Sequence, residues 1–88
     1  MRHVAFALAA LSLAACETTM ANVPPGPEPF RVGYADGCES GKDAAGALYS
    51  RFRKDVVRFD TDRLYAQGWD NGFSVCKGQY ESVSRSLR

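Results

Sequence analysis

Apolar, aromatic and glycine positions recur three and four residues apart along two stretches of the chain. The first series is Phe30, Gly33, Tyr34, Gly37, Cys38, Gly41, Ala45 and Leu48. The second is Tyr65, Gly68, Trp69, Gly72, Phe73, Cys76 and Tyr80. That spacing places each series on one stripe of a helix. Between residues 53 and 60 the pattern lapses. The periodicity therefore predicts an all-α fold of two helices, over residues 31–52 and 61–84, joined by a short loop.

The two stretches also echo each other. Gly33-Tyr34-Ala35-Asp36-Gly37 and Gly68-Trp69-Asp70-Asn71-Gly72 both read glycine, aromatic, two residues, glycine. A glycine costs a helix about 1 kcal/mol relative to alanine, so glycines confined to one stripe need a reason. Close approach supplies one. Small residues four apart, such as Gly37 and Gly41 or Gly68 and Gly72, let a facing element pack onto bare backbone, as in membrane helix pairs. The flanks are too polar for a spanning segment, so the expected product is a soluble helix pair with Trp69 and Phe73 packed against the glycines. Gly33, Gly37, Gly41 and Gly46 make the first helix weak alone.

Charge agrees with this layout. Asp36 and Glu39 lie early in the first helix and Arg51, Arg53 and Lys54 at its end. Asp60 is the expected N-cap of the second helix, with Asp62 in its first turn and Lys77 and Arg85 near its end. Acids near helix starts and bases near helix ends complement the helix dipole.

The start of the chain has a different character. A basic opening, Met1-Arg2-His3, precedes an apolar run from Val4 to Leu13 that is too short to span a bilayer as a mature helix. Then comes Leu13-Ala14-Ala15-Cys16. Basic start, apolar run and small residues before a cysteine, in that order, resemble the signal peptide and lipobox of bacterial lipoproteins. The resemblance covers residues 1–16. It implies that residues 1–15 are a cleaved signal peptide and that Cys16 carries diacylglycerol on its sulfur. Acyl chains contribute about 0.8 kcal/mol per buried methylene, so two or three anchor a protein firmly. Glu17, in place of an aspartate after the modified cysteine, implies the outer membrane, facing the periplasm. The remainder resembles small envelope lipoproteins with an aromatic and glycine-rich helical hairpin. That likeness carries location and architecture and assigns no catalytic residue.

Export implies an oxidising compartment, where disulfides persist. With Cys16 taken by lipid, Cys38 and Cys76 are left to form one bridge. If they face each other in an antiparallel hairpin, facing residue numbers sum to 114. Gly41 then faces Phe73, Ala45 faces Trp69, Tyr49 faces Tyr65, and the turn centres on residue 57. The expected fold is a two-helix antiparallel hairpin, residues 30–88, pinned by one disulfide. Residues 16–29 contain all four prolines and read as a disordered tether. At about 3.1 Å per residue in an extended proline-rich conformation, it reaches up to roughly 40 Å from the bilayer.

Taking fifteen residues from 88, Arg2 among them, leaves 73 residues with ten Lys/Arg against ten Asp/Glu. Such neutrality argues against nucleic acid as a partner. The sole histidine, His3, leaves with the signal peptide, and there is no CxxC pair, phosphate loop or nucleophile elbow. No metal site, cofactor or catalytic group is expected. Asp36 and Asp70, set about 12 Å apart along the axis by the antiparallel register at 1.5 Å per residue, would not act as a dyad. The expected function is a non-catalytic structural or protein-interaction module on the membrane, with an envelope protein or a second copy as partner. The nine aromatics that follow residue 15 are too many for a single helix interface, which leaves some exposed for such a role. The alternative is an envelope glycan or peptidoglycan binder using Arg51, Arg53, Lys54 and Arg58 with exposed aromatic rings. A thiol–disulfide redox role for Cys38 and Cys76 stands third.

Overall fold

The computed structural model describes residues 23–87, and the signal peptide expected over residues 1–15 and the lipidation expected at Cys16 lie outside them. The described residues hold three helices and no strand: α1 Glu28–Ala44, α2 Val56–Thr61 and α3 Arg63–Ser86.

Local chemistry accounts for each boundary. α1 starts behind Pro27, with Pro29 in its first turn, where a missing N–H costs nothing. It therefore begins inside the stretch read as tether. It stops eight residues short of the expected end because Gly46 adopts φ +95. The Gly46 N–H donates to the Asp43 carbonyl at 3.0 Å and the Ala47 N–H to the Lys42 carbonyl at 3.0 Å. That is a glycine-terminated helix end, with both orphan carbonyls satisfied. Gly46 is thus a stop signal and not a weak interior residue. Asp55 caps α2 by accepting from the Arg58 N–H at 3.0 Å. Asp62 caps α3, accepting from the N–H groups of Leu64 and Tyr65 at 3.1 and 3.3 Å. Asp60, the expected cap, lies inside α2 instead.

The long helices pack through their glycines. A Cβ at Gly33, Gly37 or Gly41 would overlap the carbonyl oxygens of Tyr65, Trp69 and Phe73 respectively. In return, a Cβ at Gly68 or Gly72 would overlap the carbonyl oxygens of Phe30 and Tyr34. Only glycine permits this backbone-on-backbone contact, and Cα–H groups directed at carbonyls are a weak attraction of the kind seen at close helix interfaces. Cys38 and Cys76 continue the same row, bonded with their Cα atoms 5.0 Å apart.

These contacts fix direction. Residues 33, 37 and 41 meet 65, 69 and 73 in ascending order, so α1 and α3 run parallel. The antiparallel register is overturned: facing residues differ by a constant number and do not share a constant sum. Tyr49, expected against Tyr65, is 97% exposed. A shift of 35 residues carries Phe30, Gly33, Tyr34, Gly37 and Gly41 onto Tyr65, Gly68, Trp69, Gly72 and Cys76. The repeated motif is therefore the sequence form of a local two-fold axis between parallel helices.

A parallel pair needs a return path as long as the first helix, about 25 Å for 17 residues at 1.5 Å each. Residues 45–62 provide it. They descend beside the pair as a strap, residues 45–55, followed by α2, and deliver the chain to the start of α3.

Candidate functional site

The strap is held by side chains that the helices bury. The Ser40 hydroxyl is fully buried. It accepts from the Arg53 N–H at 2.7 Å and lies 2.7 Å from the Arg53 carbonyl and 2.8 Å from the Asp36 carbonyl, which share its one proton. The Trp69 indole N–H donates to the same Arg53 carbonyl at 2.7 Å. Two residues on, the Asp55 N–H donates to the Tyr65 hydroxyl at 2.9 Å, and that hydroxyl donates to the Asp36 carboxylate at 2.8 Å. The Tyr65 side chain is 0% exposed. Burial, chiefly, pushes its phenol above the ordinary tyrosine range, and the carboxylate of Asp36 adds to this.

Trp69 is the hub beneath the strap. Phe73 stacks on it at 5.1 Å, and Phe52 and Phe59 meet it edge-on at 5.9 and 5.8 Å. The Lys54 ammonium sits 3.7 Å from the Phe59 ring centroid and 4.5 Å from that of Trp69. This is a cation–π arrangement within the range of strong attraction. Arg58 pairs with Glu28 at 3.3 Å and Asp62 at 3.7 Å, and lies 5.3 Å over the Tyr65 ring.

Of the four basic residues expected to serve a glycan binder, Lys54 and Arg58 are thus engaged with the chain's own rings and carboxylates, while Arg51 and Arg53 are exposed. The loop does not project; it lies along the helix pair. Gly37, Gly41, Gly68 and Gly72 form the interface, Trp69 is buried, and Phe73 is half-buried against it. Cys76 is buried and Cys38 half-buried. The axial argument that separated Asp36 from Asp70 falls with the register, since position 36 lies level with 71. What keeps the two apart in role is surroundings: Asp36 accepts from Tyr65, and Asp70 is exposed.

The sequence reading missed Ser40, Asp36 and Tyr65 as strap anchors. A buried tyrosine hydroxyl does require a partner. That signal lay in the chain, but its partner is 29 residues away and becomes visible only once the helices are parallel.

The remaining feature is a surface. Parallel helices put both C-termini at one end, opposite the end where α1 starts behind Pro27. At that far end the core-facing stripe of α3 continues past the end of α1 through Tyr80, Val83 and Leu87. Val83 and Leu87 are exposed there, and on the strap so are Leu48, at 87%, and Tyr49. A shallow groove runs between Lys42, Ala47, Leu48, Tyr49, Ser50 and Tyr80.

Among the described residues no cluster of three or more His, Cys, Asp or Glu could hold a metal ion. No helix among them is long and apolar enough to cross a membrane. No family model matches the chain, and searches of curated proteins and of solved structures returned no match.

Proposed function

We propose that the chain is a lipid-anchored envelope protein, held in the outer membrane through Cys16, and that its helix pair acts as a non-catalytic structural or protein-interaction module. The observation that carries this reading is the far end. It gathers Leu48, Tyr49, Val83 and Leu87 on the side opposite the tether, and exposed apolar groups gathered on a small domain mark an interaction site. A disulfide-locked core with close backbone contact gives that surface a rigid support.

Cross-linking in intact cells, with mass spectrometry of what is captured and of the Cys16 modification, tests the proposal. We expect reproducible capture of a protein, lost in a Leu48→Ser/Tyr49→Ser variant that keeps its helical signal. Absence of acyl mass on Cys16 removes the anchor, and absence of any captured protein removes the interaction.

A second reading has an observation of its own. Tyr49, Arg51, Phe52 and Arg53 are exposed along one short run of the strap, a mix of rings and cations suited to an anionic glycan. It requires that Arg51→Glu/Arg53→Glu release the protein from purified peptidoglycan; unchanged co-sedimentation removes it.

A further inference from the structure

The strap is tied at both ends and free between them. At its start the Gly46 and Ala47 N–H groups are bonded to carbonyls of α1. Further on, the Arg53 N–H is held by the buried Ser40 hydroxyl, and the Arg53 carbonyl by that hydroxyl and the Trp69 indole. Between these anchors, no backbone N–H or carbonyl of residues 48–52 makes a well-formed hydrogen bond to a described residue. Leu48 and Tyr49 lie in a turn, which can open without losing such a bond. The side chains are uncovered too: Leu48 is 87% exposed, Tyr49 97% and Phe52 59%. An endopeptidase needs a segment in this state. It lays the chain into its cleft as an extended strand, bonds to backbone on both sides of the bond it cuts, and takes one side chain into a selecting pocket.

Two kinds of side chain invite a cut here, and the anchors decide between them. Arg51, Arg53 and Lys54 suit a pocket for cations. Yet the Arg53–Lys54 bond contains the tied Arg53 carbonyl. The bond after Lys54 contains the Asp55 N–H, held by the Tyr65 hydroxyl, and the Lys54 ammonium lies over the rings of Phe59 and Trp69. An enzyme seated on Arg51–Phe52 must pull the neighbouring Arg53 off Ser40. Tyr49 and Phe52 suit a pocket for aromatic rings, but the Phe52–Arg53 bond contains the tied Arg53 nitrogen. Tyr49–Ser50 is different. Leu48 and Tyr49 before the bond, and Ser50, Arg51 and Phe52 after it, all have free backbone.

We propose that Tyr49–Ser50 is a modification site, the bond at which an endopeptidase selective for aromatic residues opens the folded chain. Hydrolysis adds one water across it, leaving a carboxylate on Tyr49 and an ammonium on Ser50. The product is a two-chain protein. Cys38 lies before the cut and Cys76 after it, so the bridge joins the pieces. The glycine contacts between α1 and α3 span the cut as well, and Arg53 and Asp55 keep their bonds to the helices. The opening is therefore local: the apolar far end gains two charges while the helix pair stays in place.

The test uses the full-length oxidised protein, with chymotrypsin as the probe for aromatic side chains and trypsin for cationic ones. Cuts between Cys38 and Cys76 are mapped by mass, before and after reduction. Chymotrypsin should open Tyr49–Ser50 first, and the product should keep its helical signal and remain one species until reduced. Trypsin should cut Arg51–Phe52 about a hundredfold slower than in the reduced, unfolded chain, roughly tenfold for each of the two tied groups of Arg53. Tyr49→Arg separates place from side chain, at a position too exposed to disturb the fold. In that variant trypsin should cut after position 49 at least about tenfold faster than after Arg51 of the same molecule. A first chymotryptic cut elsewhere between the cysteines, an Arg51 bond cut as fast as in the unfolded chain, a Tyr49→Arg variant cut first after Arg51, or loss of helical signal on cutting would each overturn the inference.

Discussion

Gly37 and Gly78 are both helical glycines, and their surroundings are opposite. A Cβ at Gly37 would run into the Trp69 backbone, whereas Gly78 has nothing within 4 Å. Backbone cannot move aside as a side chain can. Gly37→Ala should therefore sit at the upper end of the overpacking range, about 2–3 kcal/mol of lost stability. Gly78→Ala should stabilise by up to about 1 kcal/mol through helix propensity alone. Urea denaturation of the two variants beside the parent checks both signs; equal effects would refute the close glycine packing, a glycine zipper, between α1 and α3. Tyr65 carries a pH dependence. Its folded phenol titrates above the unfolded one, so its contribution is fully present below the unfolded value of about 10 and is lost as pH rises from there through the folded value. Stability should fall above pH 10. Tyr65→Phe should lose about 1–3 kcal/mol at pH 7, because the Asp55 N–H and the Asp36 carboxylate lose their partner, and should show a shallower alkaline decline. Thermal melts at pH 7 and 11 distinguish the two.

At the scale of elements, much was legible and one thing was not. The stripes, the glycines, the α3 boundaries to within two residues and the cysteine pair could be read from spacing because each reports a helix face. Direction could not be read from the cysteines: a single bridge fits a constant sum and a constant difference equally well. The repeat leaves it open too, since like motifs pair across a two-fold axis in parallel and in antiparallel helices; the length of the connection decides it. The short loop at 53–60 hid this, because Gly46 was taken as interior and the return path was counted as helix. Parallel dipoles also add where antiparallel ones cancel. Glu28 in the first turn of α1 and Asp62 at the cap of α3, with Lys42 and Arg85 in their last turns, complement that sum. Direction has its own check. Nuclear Overhauser contacts should join Gly33 to Trp69 and Gly41 to Lys77. Contacts from Gly33 to residues near 81 would restore the hairpin.

For the whole molecule, the disulfide is a large share of stability. It closes a loop of 38 residues, which by chain-entropy reasoning is worth roughly 4 kcal/mol. A core of Tyr34, Tyr65, Trp69 and Cys76 is small for a domain to rest on alone. Reduction should unfold the protein, seen as lost helical circular dichroism; a reduced sample with the melting temperature of the oxidised one would show the zipper to be sufficient. Parallel pairing has one more consequence. In a hairpin, contacts near the turn join close neighbours in sequence and can form first. Here the glycine contacts and the bridge join residues 32 to 38 positions apart, while the strap's bonds, Ser40 with Arg53 and Asp55 with Tyr65, join residues 13 and 10 apart. Contacts of shorter range close at lower entropic cost. A chain delivered N-terminus first thus meets the strap with α1 before α3 exists, and the helix pair closes only as residues 65–76 follow.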